Sequence, residues 1–395
     1  MVELTRDDTI FKDQDVLRDS YQPTDIDDII ERDAEIAEYV SGFQPVIDGK
    51  QPYNIFVYGQ TGVGKTLSTN LIIDYLNDRQ QEYEDLEVLT PQISCKSLTS
   101  SYQVSIRLVN YFRDQDEELP TRGHDSGYIY EQLWAHLNDV DASHVIFVLD
   151  EIDSIGTDDD LLYQLPRCND LGHVTETNVG VVGISNDFTF RDNLSAQVKD
   201  SLCDYEVHYP PYNAQELQNI LQQRAEKAFY EGVLKDGVIP LASAFAGQDS
   251  GSARQALRIL HKAGDLARRD SRDQVTEQDV RDANTLIEKG RLLDELRRLP
   301  TQSRLTLQSV ILLADEGETP AKRSAVYDKY ESLVADVGSS KKSTRTIHNH
   351  LSQLSLKGFL TVEQKNKGSH GGSYFEYDVN QFETLEEALD DSDLI

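Results

Sequence analysis

Gly59-Gln60-Thr61-Gly62-Val63-Gly64-Lys65-Thr66 satisfies GxxxxGK[ST] at every fixed position. In this pattern the glycines let the backbone fold tightly enough to aim several N–H groups at phosphate oxygens. Lys65 can then reach the terminal phosphates, and the Thr66 hydroxyl can bind Mg²⁺. A second pair of groups, Asp150-Glu151, closes the apolar run Val145-Ile146-Phe147-Val148-Leu149. There Asp150 is expected to hold the metal, directly or through water, and Glu151 to polarise an attacking water. Asn186 follows a third apolar run, where its amide could sense a γ-phosphate or orient that water. Arg254 follows Gly251-Ser252, from where a guanidinium could swing onto a nucleotide. By spacing alone Asn186 is equally compatible with an ordinary turn, and Arg254 with a solvated surface arginine. Lys65, Asp150, Glu151, Asn186 and Arg254 form the candidate catalytic set, with Thr66 and Asp150 as metal ligands.

These groups need a sheet edge and a helix N-terminus to hold them. The run 55–58 precedes the glycine-rich loop and a helical pattern over 66–76 follows it. That helix adds a partial positive charge where phosphates would sit. Further apolar, β-branched runs lie at 88–93, 145–149, 179–184 and near Val207, with helical stretches between them. Continuous apolar strands of this kind predict a parallel sheet covered on both faces. Pro210-Pro211 closes the region, and residues 212–290 read as helical throughout. One stripe there is Ala253, Ala256, Leu257 and Leu260. Another is Val280, Ala283 and Ile287, after Thr276-x-x-Asp279, which has the form of a capping box. From about 291 the order is helix (305–313), helix (326–334), a third helix capped by Ser343 with Ile347, Leu351 and Leu354 inward, and a hairpin of 359–364 and 374–379. That is the order of a winged helix. The expected organisation is a flexible segment over 1–20, an α/β ATPase core over 21–210, a helical lid over 211–290, a winged helix over 291–380 and an acidic tail over 381–395.

Charge narrows the partners. The net charge of −32 arises from 70 acidic and 38 basic side chains spread along the 395 residues. Above 1 M salt the Debye length falls to about 3 Å, so such self-repulsion is screened and a salt-rich cytoplasm is implied. Against this background residues 339–373 carry Lys341, Lys342, Arg345, Lys357, Lys365 and Lys367 with the single acid Glu363. A basic island on a recognition helix and wing predicts binding to duplex DNA, where phosphate contacts supply most affinity. Arg345, His348, Asn349 and Ser352 fall away from the inward stripe and are candidates for the major groove. Lys365, Lys367, Gly368, His370, Gly371 and Ser373 are candidates on the wing. The three cysteines are far apart and form no CxxC, which predicts reduced thiols inside the cell. No apolar run approaches a membrane span, so no membrane partner is expected. The nine histidines show no metal-ligand spacing and no nucleophile elbow occurs, which argues against zinc or nucleophile chemistry.

The P-loop, the Asp-Glu strand end, Asn186 and Arg254, in this order, resemble the AAA+ ATPases. With Asp150-Glu151-Ile152-Asp153, Pro210-Pro211-Tyr212, Gly251-Ser252-Ala253-Arg254 and a terminal winged helix, the chain resembles the archaeal origin-recognition and cell-division-control initiators. Ile30-Glu31-Arg32-Asp33-Ala34-Glu35-Ile36 fits an Arg-containing segment that this family places over the adenine, and Pro120-Thr121-Arg122-Gly123-His124 fits its extra helical segment. The resemblance runs from about residue 12 to 380. It implies ATP or its product ADP with Mg²⁺, phosphate contacts from Val63 to Leu67, and lid contacts from Tyr212 and Arg224. On sequence alone Tyr212 and Arg224 would be packing and surface residues. Gly59, Gly62, Gly64, Lys65, Thr66 and Arg254 complete the implied nucleotide set. In the helical insertion Ser100, Ser101, Tyr102 and Arg107 are implied DNA contacts.

Two positions depart from the family pattern. Gln197 stands where an arginine usually reaches a neighbouring subunit's ATP, leaving Lys199 as the cation of that segment. The wing glycines lack flanking arginines. The resulting expectation is a slow ATPase acting as a switch on a protein that recognises origin DNA and helps load the replicative helicase, alongside other initiator copies. Core and winged helix would then grip one DNA site together. The alternative is a nucleotide-switched DNA-binding regulator acting away from origins. A clamp-loader-like remodelling ATPase is a third reading, which the terminal winged helix disfavours.

Overall fold

The computed structural model describes residues 9–366, 373–380 and 385. The chain parts into two compact units, 1–283 and 284–395.

The first unit is built on a parallel sheet of β1 (Ile55–Gly59), β2 (Val88–Leu89), β3 (Gln92–Ser94), β4 (His144–Asp150), β5 (Asn178–Ser185) and β6 (Tyr205–Tyr209). The order is β2-β4-β5-β1-β6, with β3 also pairing β4. Strands β4 and β5 are buried almost throughout, as parallel strands covered on both faces must be. The register sets Tyr58 opposite Ser185 and Asp150 opposite Ile184. The carboxyl ends of β1, β4 and β5 therefore finish side by side, which is where ligands bind in open α/β sheets. The run 88–93 is two strands rather than one. Pro91 has no N–H for the ladder, and only its carbonyl pairs, accepting from Val148 N at 2.8 Å.

Residues 9–20 do not behave as the flexible segment expected. Ile10, Phe11, Val16 and Leu17 are buried, Lys12 N donates to Ala228 O at 2.8 Å, and the Phe11 and Phe229 rings lie 4.9 Å apart. The segment's few apolar side chains are spaced too irregularly to show a period, yet they complete the lid core. That lid comprises the helices Ala214–Ala228, Val238–Asp249 and Ala253–Arg269. Helix Glu277–Arg298 runs through the expected boundary at 290. At its start the Asp279 carboxylate accepts from Thr276 N and Oγ1, each at 2.8 Å, and also pairs with Arg272.

In the second unit helices Thr301–Asp315, Arg323–Asp336 and Thr344–Leu356 pack with an antiparallel sheet in the order β7-β9-β8. Strand β7 is Ala321–Lys322, β8 is Leu360–Asn366 and β9 is Ser373–Val379. Leu305, Val310, Val326, Tyr330, Ile347, Leu351, Leu354 and Phe359 form its core. Ser343 caps the third helix by accepting from Thr346 N at 3.2 Å. Strand β7 is two residues long, too short to leave a period in the sequence.

Candidate nucleotide site and nucleic-acid face

The loop after β1 keeps its shape because only glycine fits at its closest approaches. Gly59 has φ +154°, and a Cβ there would lie 2.2 Å from Tyr209 O. Gly62 has φ +84°, and a Cβ there would lie 2.0 Å from Ser252 Oγ. The lid presses on the loop at that point, with Ala253 N donating to Gly62 O at 3.0 Å.

Within the loop Lys65 is 4% exposed and its Nζ donates to Gly59 O at 2.9 Å, Gln60 O at 2.8 Å and Asn186 Oδ1 at 2.8 Å. Burial lowers the Lys65 pKa to about 8, against the opposing pull of Asp150 and Asp153. Thr66 Oγ1 donates to Asp150 Oδ2 at 3.0 Å, so the two expected metal ligands converge. Glu151 takes a left-handed backbone, φ +55°, and its N–H donates to Asp150 Oδ1 at 2.9 Å. This turn brings Glu151 off the strand axis beside Asp150. Asn186 N in turn donates to Asp153 Oδ1 at 3.0 Å. Asp153 thus positions the loop after β5; its signal was the spacing of Asp150-Glu151-Ile152-Asp153.

Gly62, Gly64, Leu67, Tyr212, Arg224 and Arg254 line one cleft. Val63 is fully buried and its carbonyl accepts from Arg32 Nε at 3.2 Å, so a phosphate contact there rests on backbone N–H alone. The Arg224 guanidinium lies 4.4 Å over the Tyr21 ring, and its buried Nε has no partner among the described residues. Arg254 stands at the rim, half exposed, with Nε 3.9 Å from Asp19 Oδ2. Asp19 lies in the segment expected to be flexible and Tyr21 directly after it, so sequence reasoning missed one wall of the cleft.

Arg32 belongs to the segment expected over the adenine. It is 2% exposed, donates through Nη2 to Pro210 O at 2.6 Å and pairs with Glu35 at 3.0 Å. Its guanidinium lies 3.6 Å from the buried Tyr212 ring. One side chain thus ties the phosphate loop to the core–lid junction. The unpaired Arg224 Nε, the converging Thr66 and Asp150 oxygens and a buried lysine with a depressed pKa together fit a Mg²⁺-nucleoside triphosphate.

On helix Thr344–Leu356, Arg345, Asn349 and Ser352 are exposed on the face opposite the buried stripe. His348 is only half exposed, and its buried Nδ1 has no partner among the described residues. Lys342 is exposed, whereas Lys341 pairs with Glu331. Lys365 Nζ lies 2.7 Å from Glu376 and 3.5 Å from Glu363. Those two glutamates are directly opposite in the β8–β9 register, so Lys365 relieves a like-charge pair. The basic island is therefore weaker than its sequence window suggested, because Glu331 and Glu376 fold onto it from outside. Ser373 is exposed at the start of β9; Lys367, Gly368, His370 and Gly371 lie outside the described residues.

In the insertion Ser101 is not available for a surface contact. It is 2% exposed, and its N–H donates to Asp158 Oδ2 at 2.9 Å. Ser100 caps the helix Ser101–Tyr111, Tyr102 is half-buried and Arg107 is exposed.

Comparison with known proteins agrees with this architecture. The AAA domain profile matches residues 48–187, the Cdc6 AAA+ ATPase-type lid domain residues 218–285, and the CDC6 C-terminal winged helix domain residues 294–385. ORC1-type DNA replication protein 1 of Haloarcula marismortui is 52% identical over 95% of this chain and 91% of its own length. An ORC1-type DNA replication protein of Thermococcus kodakarensis is 36% identical, over 92% and 86% respectively. The solved structure of the Aeropyrum pernix ORC1 protein in complex with DNA matches with a TM-score of 0.81 at 31% identity, covering 98% of both chains. The acidic composition fits the haloarchaeal source of the first relative. The chain belongs to the archaeal Orc1/Cdc6 family of AAA+ proteins, the ORC1-type DNA replication proteins.

Proposed function

We propose that this protein is an ATP-switched initiator of DNA replication that recognises origin DNA and helps recruit the replicative helicase in the cytoplasm, with other initiator copies. The observation that carries the reading is the Lys65, Asn186, Asp153 and Thr66–Asp150 set, roofed by a lid, in one chain with an exposed Arg345/Asn349/Ser352 face. The family relative solved with DNA supports the same reading.

Thr66 and Asp150 would hold Mg²⁺; when bound, the ion would neutralise charge on the phosphates. Val63 to Leu67 would cradle those phosphates, Lys65 would contact the terminal ones, and Arg224 with Tyr21 and Tyr212 would wall the nucleotide. Glu151 would accept a proton from the attacking water, which Asn186 would orient. Arg254 would leave Asp19 for the nucleotide, drawing the lid onto the loop. Hydrolysis would then act as a switch rather than a motor.

Footprinting on the organism's own genomic DNA in high KCl with ATP tests this, comparing wild type with Lys65→Ala. Protection confined to repeated sequences at a replication origin, lost in Lys65→Ala, is expected. Discrete protection elsewhere would indicate a nucleotide-switched regulator, a reading for which Gln197 and the arginine-poor wing leave room. No protection at any salt would leave a remodelling ATPase whose winged helix binds protein.

A further inference from the structure

A second phosphate-ready feature lies in the winged helix and involves residues outside the recognition helix and wing tip. A cleft of about 670 Å³ opens between the start of helix Arg323–Asp336, the start of helix Thr344–Leu356 and β9. Lys322, Arg323, Ser324, Thr344, His348 and Ser373 line it. Lys322 occupies the N-cap of the first helix, which runs for 14 residues and receives no side-chain cap hydrogen bond. Its first turn therefore presents N–H groups and a partial positive charge to the cleft.

Three independent observations point to an anion. Among the described residues neither Lys322 nor Arg323 has an ion-pair partner, in contrast to Lys341 and Lys365; the Lys322 ammonium lies 5.1 Å over the Tyr374 ring of the same cleft, a contact that leaves its charge unneutralised. The buried His348 Nδ1 lacks a hydrogen-bond partner although the residue lines the same cleft. Ser324, Thr344 and Ser373 line it from three separate elements. Asp328 also lines the cleft and offsets only one of the two full cations.

We propose that this cleft seats a backbone phosphate of duplex DNA beside the recognition helix. The inference rests on the DNA-binding reading above and adds to it a sequence-independent anchor. Phosphate contacts of this kind set the register of a helix in the groove without reading bases. Thr344 and His348 belong to the same helix as Arg345 and Asn349, so a phosphate held here fixes where those two side chains meet base edges.

The test is fluorescence anisotropy across a KCl series with the full chain. The duplexes are one protected in the footprint and a shuffled one of equal length. Lys322→Ala/Arg323→Ala is expected to weaken both equally and to reduce the salt slope by about 1, the scale of one lost phosphate contact. Lys322→Arg/Arg323→Lys should keep the slope, and Arg345→Ala should instead change the preference between duplexes. Both cations are exposed, so matching thermal melts exclude a folding defect. An unchanged slope in the alanine pair, with wild type binding, overturns the phosphate seat and leaves the DNA reading standing. Wild type that binds no duplex at any salt overturns both.

Discussion

Lys65 Nζ lies 2.8 Å from Asn186 Oδ1, joining the phosphate loop to the tip of the neighbouring strand through one hydrogen bond. The bond exists because β1 pairs β5 in the sheet, although the two residues are far apart in the chain. Asn186→Ala should leave ATP affinity within a few fold of wild type and slow single-turnover hydrolysis about a hundredfold, the scale of one lost polar group at a reacting centre. Asp153→Ala should slow hydrolysis less, since it loosens the Asn186 loop without removing the amide. Unchanged hydrolysis in Asn186→Ala would remove that residue from the site.

Burial holds Lys65 at a pKa of about 8, below the usual lysine range. A bound polyphosphate favours the ammonium form and raises that value, so nucleotide binding takes up a proton above pH 8. Calorimetry in two buffers of different ionisation enthalpy should show uptake at pH 8.5 and little at pH 7, with affinity falling at most about tenfold per pH unit above 8. The nucleotide-free protein shows the opposite trend. Its neutral lysine is favoured by folding, so this group adds stability as pH rises from about 8 towards the unfolded value.

Arg32 donates to Val63 O and Pro210 O and pairs with Glu35 inside the protein. Its removal leaves two carbonyls and a carboxylate without a partner. Arg32→Ala should cost about 3 kcal/mol of stability, and Arg32→Lys should recover little because an ammonium lacks the fork. Chemical denaturation of the two variants gives the comparison, and equal stability of wild type and Arg32→Ala would refute the tie.

Glu376→Gln should strengthen DNA binding, by up to about fivefold at moderate salt, since it frees the exposed Lys365 ammonium from a solvent-screened pair. Lys365→Ala in the wild-type background should weaken binding and destabilise the hairpin, where Glu363 and Glu376 would then face each other unscreened. The gain from Glu376→Gln should fade in multimolar KCl, where binding itself is expected to persist. Binding titrations across that range decide, and no gain at any salt would show that Lys365 serves the fold alone.

Gln197 is exposed at the start of helix Ala196–Leu202, and Lys199 Nζ donates to Asp192 O at 2.9 Å. Neither offers a forked cation to a neighbouring copy. The isolated protein should hydrolyse about one ATP per chain and then stall. Gln197→Arg should make turnover rise with protein concentration. Brisk multiple turnover by wild type would contradict this account.

The sequence determined the parts whose physics is local. A glycine at a positive φ, a strand ending in two acids and a cap before an amphipathic helix depend on neighbours in the chain. The P-loop, Asp150-Glu151, Ser343 and the Ile347/Leu351/Leu354 stripe were therefore legible. Tertiary structure decided what depends on contacts between distant segments. The burial of Ile10, Phe11, Val16 and Leu17, the tie made by Arg32, the hold of Asp153 on Asn186 and the burial of Ser101 leave no period in the sequence. Charge was the clearest case. A window of residues counted six cations and one acid, but electrostatics acts through space. Glu331 and Glu376 reach Lys341 and Lys365 only once the chain is folded, while Lys322 and Arg323, outside the window, open onto the cleft beside the recognition helix.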